Sequence, residues 1–484
     1  MTGILLKREV FVSRLPLPES GASSRGGIRP TDSWMGIYFT DGTKIGYTHS
    51  TVIPRPEGFG GGYTARNISL IKMSLLGQPV ELRAKVNWTL DKDGKVEDLK
   101  FELDSSEYPF SAEGKVENGT LRLKVSTGES EFTKDLPIGD NLLVSDTLNP
   151  VMTLPDIKEG GEYAVEVLDP VALTTRRVKL KAASMEKVKI GPDTVDARRI
   201  EVDFEGFATT VWVAGDGEVV KVETPIGLIM VKEPPEEAIR GGATGTEVPD
   251  IVSAVAIPSG KTIERPDEAR RIVVRFQGVE PDRFDVWGDY QRIVAPKSLL
   301  VEVSRSDVQA ENAPKLPVSG SDLDEFVKPS PFIQSDDSRI TTMAREIVGT
   351  ETNSWRAALK LLRWVHENIK KETVASVPSA VDVLQMRKGD CNEHTVLYVA
   401  LARAVGLPAR TAVGLVYKDG FFYYHAWPEV HVGRWVPIDP TFGQEVADPT
   451  HIKLSEGELY RWTDILPTIK KLKLDVVRVD YGAK

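Results

Sequence analysis

Gly389-Asp390-Cys391-Asn392-Glu393-His394 runs directly into Thr395-Val396-Leu397-Tyr398-Val399-Ala400-Leu401-Ala402. A turn signal followed by a nearly unbroken apolar stretch predicts a central, buried helix that starts at about Cys391 and stops at Gly406, with Pro408 preventing continuation. Cys391 is the single cysteine of 484 residues. It therefore forms no internal disulfide, and cysteine usage does not fix the redox compartment. A thiol attacks as its thiolate. Unpaired N–H groups and the dipole at a helix start favour that anion, so the position predicts a lowered thiol pKa. Asp390 is a candidate cap. Glu393 favours the helix dipole, although its charge opposes a thiolate. His394 shares a face with Cys391 and is a minor rival base.

Working outward, helical periodicity places Ile340, Met343-Ala344 and Ile347-Val348 on one face, ended by Gly349. Asn353 or Ser354 caps a second helix whose face is Ala358, Leu361-Leu362, Val365 and Ile369. A short helix is expected over 379–387. Strands are expected over 409–416, 421–432 and 435–439. Helices first and an antiparallel sheet afterwards make an α+β unit. His425 lies in Tyr424-His425-Ala426-Trp427 and Asp439 in Ile438-Asp439-Pro440-Thr441. The turn at Val432-Gly433-Arg434 brings those two positions close together on adjacent strands. Cysteine, histidine and aspartate in this order supply a thiol nucleophile, its base and the group that orients the base. Taken singly, each has a bland reading: a buried small residue, a structural histidine, a turn aspartate before proline.

Together these motifs resemble the transglutaminase-like superfamily of papain-like cysteine enzymes, in its bacterial branch. Gly-Asp-Cys at a helix start, His-Ala-Trp on a strand and Asp-Pro-Thr after it carry the resemblance. Trp364-Val365-His366-Glu367-Asn368-Ile369 and Gly406-Leu407-Pro408-Ala409-Arg410 extend it. It covers residues from about 335 to 455. It implies Cys391 as nucleophile, His425 as general base and acid, and Asp439 as orienter. It also implies a protein or peptide substrate, a possible cell-envelope partner and a periplasmic or envelope setting. The superfamily includes crosslinkers, peptidases and amidases, so the fold does not choose the substrate. The Cys391 backbone N–H is the natural oxyanion donor. Gln385, Trp355 and Trp364 are weaker candidates for a second. Asp448 and His451 read as rim or turn residues. Phe421-Phe422-Tyr423-Tyr424 and Trp427 either wall the cleft beside His425 or form sheet core, and both hold if alternate residues face opposite sides. Histidines and carboxylates do not recur at metal-ligand spacing, so neither metal nor other cofactor is expected.

The upstream half reads differently. Val80, Leu82, Ala84, Val86, Trp88 and Leu90 alternate without a break, and similar runs follow at Leu99–Leu103 and Leu121–Val125. Asp41-Gly42, Asp93-Gly94, Asn118-Gly119 and Asp216-Gly217 are hairpin signals between them. An antiparallel, β-rich domain is thus expected over 31–235, after an irregular leader over 1–30. It somewhat resembles β-sheet modules of bacterial envelope proteins. Pro234-Pro235 and Gly241-Gly242 mark a linker. A small β unit is expected over 250–305, then a Pro- and Ser-rich connection, then the cysteine domain over 335–484. The glycines at 58 and 60–62 lack a following Lys-Ser/Thr and read as a loop.

A formal net charge of -10 argues against a nucleic-acid binder. No apolar run is long enough to span a bilayer, and residues 1–14 hold no signal-peptide core. The expectation is a multidomain chain. Its function is cysteine-dependent acyl transfer, with hydrolysis of a peptide or amide bond favoured over protein crosslinking because water is always available. A non-catalytic envelope scaffold is the rival.

Overall fold

Alternating side chains become strands with one buried face. Gln78–Leu90 is a single strand, and its Ala84, Val86, Trp88 and Leu90 are all buried. The computed structural model describes residues 28–482 apart from 106–108, 140–141, 144–157, 205–206, 241–247, 280–283, 285–286, 297–298, 375–376, 458–464 and 466–467. Of the expected leader, residues 1–27 therefore lie outside the described residues. Fourteen antiparallel strands, from Thr31–Phe39 to Leu228–Lys232, make one sheet with a two-residue parallel strand, Leu142–Leu143, at its edge. Consecutive strands are neighbours except Glu131–Pro137 and Leu142–Leu143, which form the two edges, and the first strand pairs with Leu228–Lys232, Met35 opposite Lys232. The four expected hairpin signals each join two paired strands. At Asn118-Gly119 both residues have positive φ, 51° and 74°, as a two-residue turn matching the strand twist requires. The sheet curls. Leu136 near one edge and Leu142 and Leu168 near the other share a core with Trp88, Phe101 and Leu123.

Of the expected linker, Gly241-Gly242 lies outside the described residues. Pro235–Ile239 is a short helix with proline at its first turn, where a missing N–H costs nothing. The small β unit expected over 250–305 contains the strands Arg271–Gln277 and Leu300–Ser304. They belong to a four-stranded sheet completed by Lys473–Asp480, with Arg271 opposite Asp480. Ile257 pairs with Phe422. One apolar cluster joins Ile272, Val274 and Val301 to Leu415, Phe422, Ile452 and Leu474. Pairing and core thus tie the 250–305 segment to the chain's last strands.

In the C-terminal region, Ser338–Val348 and Ser354–Asn368 carry the expected apolar faces, and Asn353 caps the second by accepting from Arg356 N–H. The Cys391–Ala404 helix is buried on nearly every side, as its composition dictates. It packs on the Phe421–His431 strand, whose partners are Ala409–Lys418 and Trp435–Pro437. The curled sheet docks close by. Glu129 N–H donates to Asp382 Oδ1 at 2.9 Å on the Ala380–Met386 helix, and Phe132 meets Phe332 edge to face. Among the described residues no helix is long and apolar enough to cross a membrane.

Candidate active site

Cys391 occupies the first position of its helix. Asp390 caps that helix by accepting from Asn392 N–H at 2.9 Å, and the Glu393 carboxylate accepts from Asp390 N–H at 2.8 Å, a reciprocal capping box. Glycine at 389 is a requirement of this packing. A Cβ there would lie 2.2 Å from Glu393 Cβ. The Cys391 backbone N–H donates to no group among the described residues.

The thiol departs from the sequence expectation. Cys391 keeps part of its surface open. Even so, burial pushes the thiol pKa well above its ordinary value, and the charges of Asp390, Glu393 and Asp439 push the same way. The backbone N–H of Ala426 opposes them. The helix start favours the anion, but burial first and then the carboxylates that cap and neighbour it act against it. Among the described residues no hydrogen bond joins Cys391 to His425. The thiol instead meets the backbone of Ala426, the residue beside His425.

His425 and Asp439 do come together. His425 Nε2–H donates to Asp439 Oδ2 at 2.7 Å, and both residues are buried. A carboxylate oxygen only accepts, so this bond fixes the ring proton on Nε2 and leaves the Nδ1 lone pair free. Asp439 lies just past the Trp435–Pro437 strand, in a bridge with Gln444. Its Oδ1 accepts from the N–H groups of Thr441 at 2.7 Å and Phe442 at 3.0 Å. His366 Nδ1–H holds the same loop through Pro440 O at 2.9 Å. Burial alone would raise the Asp439 pKa, but the attraction of the His425 ring when it is protonated and hydrogen bonds from His425 and His451 reverse this, holding the carboxyl well below its usual range.

His451, which the sequence reads as a rim or turn residue, is not at the rim. It is buried, 1% exposed, and its Nε2–H donates to Asp439 Oδ2 at 3.0 Å. Its Nδ1 lies 3.1 Å from Asp448 O and 3.6 Å from Asp448 Oδ1. Asp448 is itself held by Thr450 N–H and by Gln444 Nε2–H. A signal was present: Asp448-Pro449-Thr450 repeats Asp439-Pro440-Thr441 nine residues on. In both, the aspartate accepts from the N–H of the threonine two positions later.

The remaining candidates are placed as follows. Phe442, 46% exposed, stacks on the His425 ring with centroids 5.0 Å apart, and Trp427 and His451 complete its aromatic surroundings. Of the aromatic strand, Phe422 takes the sheet-core alternative, fully buried in the core shared with the small sheet, and Tyr424 bonds Thr468. His394 is buried, donates from Nδ1 to Asp390 O at 2.7 Å, and its pKa is lowered by burial. Gln385 is exposed, Trp355 is core, and Arg387 lies over the Trp364 ring. Ring and carboxylate atoms of His425, Asp439 and His451 lie within 4.8 Å of one another. Both Nε2 atoms are spent on one carboxylate oxygen, so an ion there would displace the bonds that orient His425.

Comparison with known proteins places residues 341–440 in the transglutaminase-like superfamily. An uncharacterized protein of Haemophilus influenzae is 30% identical over 99 residues, which is 19% of this chain and 27% of that relative. The match thus spans about a quarter of the curated relative's length. Among solved structures, a candidate cysteine protease from Cytophaga hutchinsonii is 18% identical, over 44% of this chain and 90% of that one, with a TM-score of 0.31. A β-barrel-like protein from Brucella abortus, in a domain of unknown function, is 12% identical over 43% of this chain and 96% of its own, with a TM-score of 0.29.

Proposed function

Residues 341–440 form a transglutaminase-like domain, and on that premise we propose that the chain is a cysteine-dependent acyl-transfer enzyme acting on a peptide or side-chain amide. Cys391 Sγ attacks the carbonyl carbon while His425 Nδ1 takes the thiol proton. That proton passes to the leaving amine as the C–N bond breaks, and a thioester remains. Water attacks the thioester, giving its proton to His425, and the acid leaves as the thiol is restored. An amine in place of water would give transamidation. The observation that carries the proposal is the 2.7 Å bond from His425 Nε2 to buried Asp439, which leaves Nδ1 free as a base. The unbonded N–H of Cys391 supports an oxyanion donor at the helix start. Because burial, with the nearby carboxylates adding to it, pushes the thiol up, we take proton transfer to His425 to accompany attack rather than precede it.

A second reading, a peptide-binding scaffold without turnover, is favoured by one observation: no hydrogen bond joins the thiol to His425 among the described residues. Acyl trapping separates the two. Incubation with an activated peptide ester, read by intact mass, is expected to add one acyl group that Cys391→Ala abolishes and His425→Ala slows. No adduct, or one indifferent to His425→Ala, supports the scaffold. Adding methylamine during turnover reports whether water or an amine takes the acyl group.

A further inference from the structure

We infer that His451 is a positioning residue of this site: a permanent imidazolium that shares Asp439 with His425 and limits how strongly that carboxylate supports positive charge on the base. The inference deepens the acyl-transfer reading and rests on it.

The ring's surroundings set its charge. Nε2 faces the Asp439 carboxylate at 3.0 Å and Nδ1 faces the Asp448 carbonyl at 3.1 Å. Both neighbours are acceptors only. Each ring nitrogen must therefore carry a hydrogen, and an imidazole with two N–H groups is a cation. The ring is 1% exposed, so water supplies no substitute partner. Its faces and edges meet Trp427, Phe442 and His425. The titratable groups packed against it are Asp439, Asp448 and His425; Gln444 and Thr450 reach it through Asp448. Burial alone would lower its pKa, but hydrogen bonds and charge from the two aspartates raise it to about 10.

The consequence falls on His425. One carboxylate oxygen, Asp439 Oδ2, serves two imidazole N–H groups. The cation on His451 keeps Asp439 ionised in a buried site and holds it in place. It also offsets, at His425, much of the carboxylate's attraction for a second proton. Two N–H donors on one carboxylate oxygen thus weaken the pull of Asp439 on a proton held at His425 Nδ1, which eases its return to the leaving amine.

Histidine-selective ¹⁵N NMR tests this on the intact chain, whose six histidines are assigned by single substitutions. Between pH 6 and 9 the wild-type His451 signal is expected to keep two protonated nitrogens. In His451→Gln, which keeps an N–H donor but loses the charge, the His425 midpoint is expected to rise by roughly one unit or more. A His451 that titrates near its ordinary value of about 6.5, or a His425 midpoint unchanged in a folded His451→Gln, overturns the inference. If His451→Gln does not fold, the wild-type titration alone decides. These readouts do not depend on turnover. Failure of acyl trapping with both NMR results as expected would remove the enzymatic reading and leave the charge assignment standing.

Discussion

The two ends of the site are built by opposite means. The Cys391 end is local: one helix start, one glycine and a capping box spanning four consecutive residues. The base end is assembled from a strand and two Asp-Pro-Thr loops, with His366 reaching in from a helix more than seventy positions away. A local construction is worth the ordinary increments of helix capping. A buried polar assembly is far more sensitive, because deleting one member strands charge in a low-dielectric interior.

Asp439→Ala is therefore expected to have the largest effect. It leaves the His451 cation without one carboxylate and four N–H donors without their acceptor. A loss of about 3–5 kcal/mol is expected by urea unfolding, with Asp439→Asn milder. A loss below about 1 kcal/mol would mean the network is no more coupled than a surface ion pair, and the contrast would fail.

The pH dependence of stability sharpens the same contrast. Asp439 and Asp448 are held below the usual carboxylate range, so their contribution is present above about pH 4 and fades as acid protonates them. His451 is raised, so its contribution is complete below about pH 6.5. It is lost as pH rises towards about 10. The urea midpoint should peak between about pH 5 and 6.5 and decline on both sides. His451→Gln should flatten the alkaline decline. An unchanged alkaline arm would place the charge elsewhere.

At the local end, Gly389→Ala forces Glu393 aside and opens the capping box. A cost of about 1–2 kcal/mol is expected by thermal unfolding, smaller than that of Asp439→Ala. Equal costs would erase the distinction between the two ends.

The same division decided what could be read from sequence. The strands and four hairpins were legible because alternation and turn chemistry are short-range. The Cys391 helix, the Asn353 cap and the pairing of His425 with Asp439 were legible for the same reason, the last because a single turn separates their strands. The curl that brings Leu136 to Leu168 was not, and neither was the pairing of Arg271 with Asp480, since no local pattern reports a partner two hundred positions away. The thiol's environment differs from the reading because burial of the thiol, which no local motif reports, is the largest influence on it, with the nearby carboxylates adding to it. His451 was missed because a histidine after a turn looks solvated until the second Asp-Pro-Thr loop is seen to fold inward.

Alkylation of Cys391 by iodoacetamide, followed against pH in the wild type and in His425→Ala, tests the central claim most directly. With one thiol in the chain, the modified residue is unambiguous. The account predicts that His425→Ala slows the reaction at pH 7 by about tenfold or more, because the base that receives the thiol proton is gone. Equal rates in both proteins, following a free-thiol titration near pH 8.5, would contradict it.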